Sequence, residues 1–113
     1  MHEVSLIENV IALAEEARLE QPFRRIRTVR LQVGALGHAD PDALRFCFDA
    51  VAAGTIAQGA GLVIDMVGGE GWCADCRRAV PMSERFDPCP ICDGAQVRIT
   101  AGDTLRLAEL EVD

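Results

Sequence analysis

Residues 73–76 read Cys-Ala-Asp-Cys and residues 89–92 read Cys-Pro-Ile-Cys, so two Cys-x-x-Cys pairs stand 12 residues apart. Each pair can direct two thiolates at one ion, and two pairs complete a tetrahedral site of four sulfur ligands. Because the protein supplies all four ligands, no position is left for a substrate, and the site is predicted to be structural. Zinc is the expected metal, and iron is the alternative because the same thiolates hold it. The predicted ligands are Cys73, Cys76, Cys89 and Cys92.

The four cysteines lie in an insert, residues 68–102, which opens with Gly68-Gly69-Glu70-Gly71 and closes at Gly102. The insert has little apolar content, so we expect a small zinc-binding domain that folds around its metal. The flanking segments, residues 1–67 and 103–113, are predicted to form one discontinuous α/β domain.

Patterns in these flanking segments predict two helices and three strands. Ser5 and Glu8 form a capping-box pair, which places the start of the first helix at Ser5, and Gln21-Pro22 ends it. Asp40 before Pro41 predicts the start of the second helix. The predicted fold class is α+β, with two helices on a three-stranded sheet and an inserted zinc-ribbon domain. The predicted strands cover residues 27–33, 62–67 and 105–112.

Composition narrows the class of partner. The chain has 113 residues and a net charge of −7, with 18 acidic residues and 11 basic ones, all of them arginine. A protein that binds phosphate backbones usually has the opposite balance, so neither nucleic acid nor an anionic membrane is an expected partner. No apolar run has the length of a membrane span, and the first residues do not resemble a signal peptide. We therefore expect a cytoplasmic protein, where paired cysteines indicate metal rather than disulfides.

The first three residues, Met1, His2 and Glu3, form a second candidate metal site. The Met1 amine, the backbone nitrogens of His2 and Glu3, and the His2 imidazole can form adjacent chelate rings. Nitrogen donors in one plane suit Ni(II) or Cu(II), and the Glu3 carboxylate can bond the imidazole or cap the metal. An incidental histidine at a disordered terminus is the alternative.

Further motifs accompany these residues, among them Val29-Arg-Leu-Gln-Val-Gly34 and Pro41-Asp-Ala-Leu-Arg-Phe46. From residue 1 to residue 112, the chain resembles the HypA/HybF family of hydrogenase maturation nickel metallochaperones. The resemblance implies nickel delivery to the large subunit precursor of [NiFe]-hydrogenase, together with the maturation GTPase HypB. It also implies a nickel site at Met1, His2 and Glu3, and zinc ligands at the four cysteines. Such a protein carries metal and is not expected to be an enzyme.

Two other functions use the same four cysteines: a zinc-ribbon interaction module and a rubredoxin-like iron electron carrier. Outside the insert, His38 is interpreted as a solvated loop residue and Asp40 as a helix cap, with roles at the nickel site as alternatives. Cys47 lies on an apolar helix stripe and is expected to be a structural cysteine. The arginines at 24, 25, 27 and 30 form a positive cluster, either a solvated face or a docking patch for an acidic partner.

Overall fold

The computed structural model describes residues 2–113, except for the side chain of His2, and Met1 lies outside it. The described residues form two helices and two three-stranded sheets. The α+β class is confirmed. None of the described helices is long and apolar enough to cross a membrane. The elements are α1 (His2–Glu20), β1 (Ile26–Gly34), α2 (Pro41–Ala52), β2 (Gly61–Val67), β3 (Gly69–Cys73), β4 (Arg78–Met82), β5 (Val97–Ala101) and β6 (Leu105–Val112). The strand orders in the two sheets are β2-β1-β6 and β4-β3-β5.

The chain divides into two compact units. The first contains residues 2–32, 39–65 and 106–113, and the second contains residues 33–38 and 66–105. Residues 33–38 belong to the second unit because their backbone pairs with it. The N–H groups of Ala35 and Leu36 donate to the carbonyls of Val67 and Gly102, both at 2.9 Å.

The first unit is built on apolar faces that the sequence pattern marks. In β1, Val29 and Leu31 are 1% exposed, while the alternate residues Thr28 and Arg30 face outward. The two helices pack against each other. Burial of such aliphatic side chains stabilises the unit by about 25 cal/mol per Å² of apolar surface. The helical contribution comes from Ile7, Val10, Ile11 and Ala14 of α1 and from Leu44, Phe48 and Ala52 of α2.

The predicted start of α1 at Ser5 is wrong. The helix begins at His2, and Ser5 lies exposed within its first two turns. Residues 2–4 contain no proline or glycine to prevent helix formation, and Glu3 places an acidic side chain in the first turn, where the helix dipole favours it. The predicted end is confirmed, since α1 stops at Glu20, before Pro22.

Helix α2 begins as its sequence predicts. Asp40 is the N-cap, its carboxylate accepts a hydrogen bond from the backbone N–H of Asp42 at 2.9 Å, and Pro41 follows at the first helical position. Beyond the last turn, Gly54 adopts a φ of +78°, a left-handed conformation that glycine reaches without steric cost.

The second unit contains three strands that the sequence analysis did not predict. Strand β3 is central and pairs antiparallel with both β4 and β5. At Gly69 a Cβ atom would collide with the side chain of Leu36, so this position requires glycine for close packing. One buried cluster of the unit consists of Cys73, Val80 and Cys89, with Cys76 and Val97 packed against it, and Val33, Leu36 and Met82 of the same unit are also buried.

Candidate metal centre

Two matching turns present the four cysteines. In the first turn, the N–H of Arg77 donates to the carbonyl of Cys73, and in the second, the N–H of Asp93 donates to the carbonyl of Cys89, both at 2.8 Å. Arg77 and Asp93 have φ values of 54° and 59°, so each turn closes through the left-handed region. Each Cys-x-x-Cys pair is therefore folded back so that its two side chains point the same way.

Backbone N–H groups inside these turns face the sulfurs. The N–H of Cys76 donates to Cys73 Sγ and the N–H of Ile91 donates to Cys89 Sγ, each at 3.4 Å. Such bonds stabilise negative charge on sulfur, and therefore favour thiolates, the form that binds metal. The spacing of the cysteines predicts this arrangement.

The four sulfurs fit a tetrahedral metal. All four Sγ atoms lie within 4.8 Å of one another. Cys73 Sγ and Cys92 Sγ are 3.7 Å apart, and Cys76 Sγ and Cys89 Sγ are 3.9 Å apart. A tetrahedron with metal–sulfur bonds of about 2.3 Å has edges of about 3.8 Å, whereas a disulfide requires about 2.05 Å. The geometry therefore matches a four-thiolate metal site and excludes disulfides in this arrangement.

Without metal, the cluster does not ionise as four equal thiols. Hydrogen bonds from the backbone N–H groups of Cys92 and Ile91 lower the pKa of the Cys89 thiol to about 7. Hydrogen bonding with the Cys92 thiol and burial raise the pKa of Cys76 to about 12. At neutral pH the metal-free cluster therefore keeps protons that a bound metal must displace.

Burial differs among the four ligands. Cys73 and Cys89, the first cysteine of each pair, are buried, whereas Cys76 is half-buried and Cys92 is exposed. At Gly94 a Cβ atom would lie 3.2 Å from Cys92 Sγ and 2.8 Å from Asp75 Oδ2, so glycine keeps space beside the exposed sulfur. The sequence analysis missed Gly94, although the Asp93-Gly94 pair is a turn signal that could have indicated it.

The predicted nickel residues Met1 and His2 are only partly within the described residues. Met1 and the side chain of His2 lie outside them, and the backbone of His2 begins α1. The Glu3 carboxylate accepts a hydrogen bond from the backbone N–H of Asp40 at 3.3 Å. Hydrogen bonds from the backbone N–H groups of Glu3 itself and of Asp40 lower the pKa of the Glu3 carboxyl. The start of α1 thus lies beside the start of α2.

The remaining candidates of the sequence analysis have ordinary surroundings. His38 is exposed, and the four cysteines are the one group of three or more potential ligands that the described part of the chain brings together. Cys47 is half-buried, and its thiol donates to the Leu44 carbonyl at 3.7 Å. Within the arginine cluster, Arg25 and Arg27 pair with Asp113, and Arg30 pairs with Asp65 and Glu109. These ion pairs support the interpretation of the cluster as a solvated face.

Comparison with known proteins gives a consistent result over the whole chain. The model of the HypA family, described as "Hydrogenase/urease nickel incorporation, metallochaperone, hypA", matches residues 1–112. A protein of Methylocella silvestris named hydrogenase maturation factor HypA is 64% identical over 113 residues, with all of both chains covered. A protein of the same name from Rhodopseudomonas palustris strain BisA53 is 50% identical, again with full coverage of both chains.

Comparison with solved structures points to the same family. The solution structure of the nickel metallochaperone HypA from Helicobacter pylori has a TM-score of 0.71 and 26% identity, and the match covers 97% of this chain and 96% of that one. A second solution structure, of a HypA protein, has a TM-score of 0.69 and 28% identity, and the match covers 99% of this chain and 96% of that one. The chain belongs to the HypA family of hydrogenase and urease nickel-incorporation metallochaperones.

Proposed function

We propose that this protein binds Ni(II) through Met1, His2 and Glu3 and delivers it for the maturation of [NiFe]-hydrogenase. The observation that carries the proposal is the family match over residues 1–112, in a chain that opens with Met-His-Glu. The relatives named hydrogenase maturation factors favour hydrogenase over urease as the enzyme that is served. The protein acts as a carrier in the cytoplasm, and its partners are HypB and the precursor of the large subunit.

Helix geometry supports the proposed nickel ligands. The first four N–H groups of an α-helix have no acceptor within the helix, and α1 begins at His2. The backbone nitrogens of His2 and Glu3 are therefore not committed to the hydrogen-bond ladder of the helix. A terminal site of this kind can release its donors one at a time, which suits an ion that has to be passed on.

The proposal requires a free amine at Met1, so nickel binding is measured on protein without added N-terminal residues. Titration calorimetry of His2→Ala should show that stoichiometric Ni(II) binding is lost, because the imidazole donor is gone. A two-residue N-terminal extension should have the same effect. His38→Ala is the matched control, since these are the two histidines of the chain, and it should bind nickel normally. Undiminished binding by His2→Ala would rule out the proposed site.

Mild acid should weaken nickel binding for the same chemical reason. The donors must be a deprotonated amine and a neutral imidazole, and unperturbed imidazole takes up a proton near pH 6.5. We expect the fitted Ni(II) affinity to fall steadily between about pH 7.5 and pH 6. An affinity that does not change over this range would contradict nitrogen coordination by these groups.

We further propose that Cys73, Cys76, Cys89 and Cys92 hold a structural zinc ion in the domain of residues 68–102, and that nickel binding belongs to the domain of residues 1–67 and 103–113. The sulfur geometry supports a tetrahedral metal, and four protein ligands leave no open position. Elemental analysis should find one zinc per chain in wild type and in His2→Ala. Bound iron would instead give a coloured protein and the rubredoxin-like alternative.

A further inference from the structure

The two edges of the β4-β3-β5 sheet differ. Strand β4 contains Pro81, which has no N–H to offer a further strand, and proline is a common protection of sheet edges. Strand β5 contains no proline, and within the described residues its one neighbour in the sheet is β3. Its pairing with β3 has a register irregularity opposite Glu70 and Gly71, so residues 97–99 are the regular part of the β5 edge, which is open to pairing with an additional strand.

Residues 97–99 of β5 alternate between the two faces of the sheet. Cross-strand partners in an antiparallel sheet lie on the same face, so Arg98 shares a face with Trp72, its partner on β3. Val97 and Ile99 lie on the opposite face, where their partners are Cys73 and Gly71. A strand added at this edge would follow the same alternation. Every second side chain of the added strand would lie on the face of Arg98, and the others would lie on the face of Val97 and Ile99.

Each face carries a depression next to β5. On the face of Val97 and Ile99, a cleft of about 480 Å³ is bordered by Met82, Phe86 and Asp87. On the other face, a smaller depression of about 220 Å³ lies between Trp72, Gln96 and Arg98. Both depressions include Ala95, Val97 and Arg98 in their walls. One short edge strand thus separates a mostly apolar cleft, whose wall also includes Asp87 and Arg98, from a cleft with an aromatic ring and the same arginine.

Phe86 is held at the rim of the apolar cleft. It is 95% exposed and has a φ of 69°, which is unusual for an aromatic residue. Neighbouring residues fix its loop: the N–H of Glu84 donates to Asp87 Oδ2 at 3.0 Å, and Arg85 Nε donates to the carbonyl of Leu36. The exposure of this ring is therefore a consequence of an ordered loop.

Charge indicates what the open edge would accept. The guanidinium of Arg98 has no ion pair or hydrogen bond with any other described residue. It lies opposite the Trp72 ring, which is 41% exposed, and tryptophan and arginine are the residue types that most often dominate binding energies at interfaces. An acidic side chain across from Arg98 would form a cross-strand pair of opposite charge.

We propose that the β5 edge binds an extended segment of a partner protein, in which apolar residues alternate with acidic ones. The segment adds a fourth strand beside β5. Its apolar side chains enter the cleft beside Phe86, and its acidic side chain pairs with Arg98 next to Trp72. Backbone hydrogen bonds supply affinity, and the two clefts supply specificity. This docking site does not involve the nickel residues, so it is tested on zinc-loaded protein without nickel.

Trp72 provides the measurement, because it is the single tryptophan of a chain without tyrosine. The probe is a capped peptide of sequence Thr-Ile-Glu-Ile-Glu-Ile-Thr, which contains neither residue. Wild type should show a saturable change in Trp72 emission. Arg98→Ala should weaken binding about tenfold, whereas Arg78→Ala, on the opposite edge strand, should stay within about twofold. Arg98→Glu should no longer bind this peptide. It should instead bind a matching peptide of the same sequence in which both glutamates are replaced by lysine.

A second peptide tests strand pairing itself. N-methylation of the alternate amides whose N–H groups would face β5 removes those backbone donors and leaves every side chain in place, so this peptide should fail to bind. Zinc content, measured for each variant, confirms that the unit is folded. No saturable response from wild type would overturn the proposal. Equal weakening by Arg98→Ala and Arg78→Ala would also overturn it, as would equal binding of the N-methylated peptide.

Discussion

The residue after the second cysteine of each turn adopts a left-handed backbone. Arg77 and Asp93 have φ values of 54° and 59°, and each N–H closes its turn on the carbonyl four residues earlier. Aspartate tolerates this region comparatively well, whereas arginine gains nothing from it. The two turns therefore share one geometry but carry different backbone strain.

This difference predicts unequal effects of glycine. Arg77→Gly should raise the free energy of unfolding of the metal-loaded second unit by about 0.5 kcal/mol, since relief of strain exceeds the added entropy of the unfolded chain. Asp93→Gly should change it by less than about 0.3 kcal/mol, because aspartate is already tolerated there. Urea unfolding followed by Trp72 emission measures both. A clear loss of stability in Arg77→Gly would mean that the arginine side chain contributes more than its backbone strain costs.

At the metal site, the spacing of the cysteines predicts that the four sulfurs come together, but it does not predict the backbone strain or the burial of each ligand. Two Cys-x-x-Cys pairs can close on one ion because each pair is a tight turn, and the four sulfurs do lie together. No property of arginine indicates a left-handed conformation, so the strain at Arg77 could not be predicted. The burial of Cys73 and the exposure of Cys92 depend on how the turns pack, which spacing does not determine.

Among the elements, α2 depends most clearly on one capping residue. The Asp40 carboxylate accepts the N–H of Asp42 at 2.9 Å, and that donor has no acceptor within the helix. Asp40→Ala should therefore lower the free energy of unfolding by about 1 kcal/mol. Asp40→Asn should retain most of the capping contribution, because its side-chain oxygen can accept the same hydrogen bond. Urea unfolding followed by far-ultraviolet circular dichroism reports the helices. Because alanine keeps the backbone N–H, the hydrogen bond to Glu3 is preserved, and equal stability of Asp40→Ala and wild type would contradict the capping role.

Ion pairs connect Asp113, the residue after β6, to arginines at the start of β1. Arg25 Nε and Arg27 Nε lie 2.9 and 3.5 Å from the carboxylate of Asp113, and pairing with Arg25 lowers the pKa of that carboxyl below its ordinary value of 3.8. A lowered pKa means that the folded state favours the ionised form. The stabilisation is therefore complete above the ordinary pKa and is lost as the pH falls through the lowered pKa of the folded state.

Asp113→Asn should accordingly be less stable than wild type at neutral pH, and the difference should shrink below about pH 4 as the wild-type carboxyl takes up its proton. High salt should also reduce the difference, because both partners are exposed to solvent. Thermal unfolding across this pH range measures the effect. Asp49→Asn is the matched control, since Asp49 has no ion pair with another described residue. A difference that does not change with pH would argue against the ion pairs as its cause.

The elements of the first unit were more predictable than those of the second. Alternation predicted a strand over residues 27–33, and β1 covers Ile26–Gly34. In the insert, Gly69 and Gly71 in β3 and Pro81 in β4 are residues that normally argue against strands. Here short strands form because turns anchored on the cysteines bring them together. The capping pair of Ser5 and Glu8 predicts a helix start at Ser5, but residues 2–4 have no helix-breaking residue and extend α1 to His2.

At the scale of the whole molecule, the two units are stabilised differently. Both helices and most of the aliphatic core belong to the first unit. The second unit buries fewer apolar side chains, and two of them, Cys73 and Cys89, belong to the metal site, so its apolar core alone is too small to offset the cost of ordering its chain. Its folding is therefore expected to depend on metal binding, whereas that of the first unit is not.

Two spectroscopic signals separate the units, because α1 and α2 lie in the first and Trp72 lies in the second. Removal of the metal by a strong chelator in the presence of a thiol reductant should shift Trp72 emission toward that of the unfolded chain. The helical circular dichroism should change little, because the apolar core of the first unit contains none of the four cysteines. Adding zinc back should restore the emission, and Cys89→Ser should resemble the chelated protein in both signals. If the helical signal were lost together with the emission, the first unit would also depend on the metal.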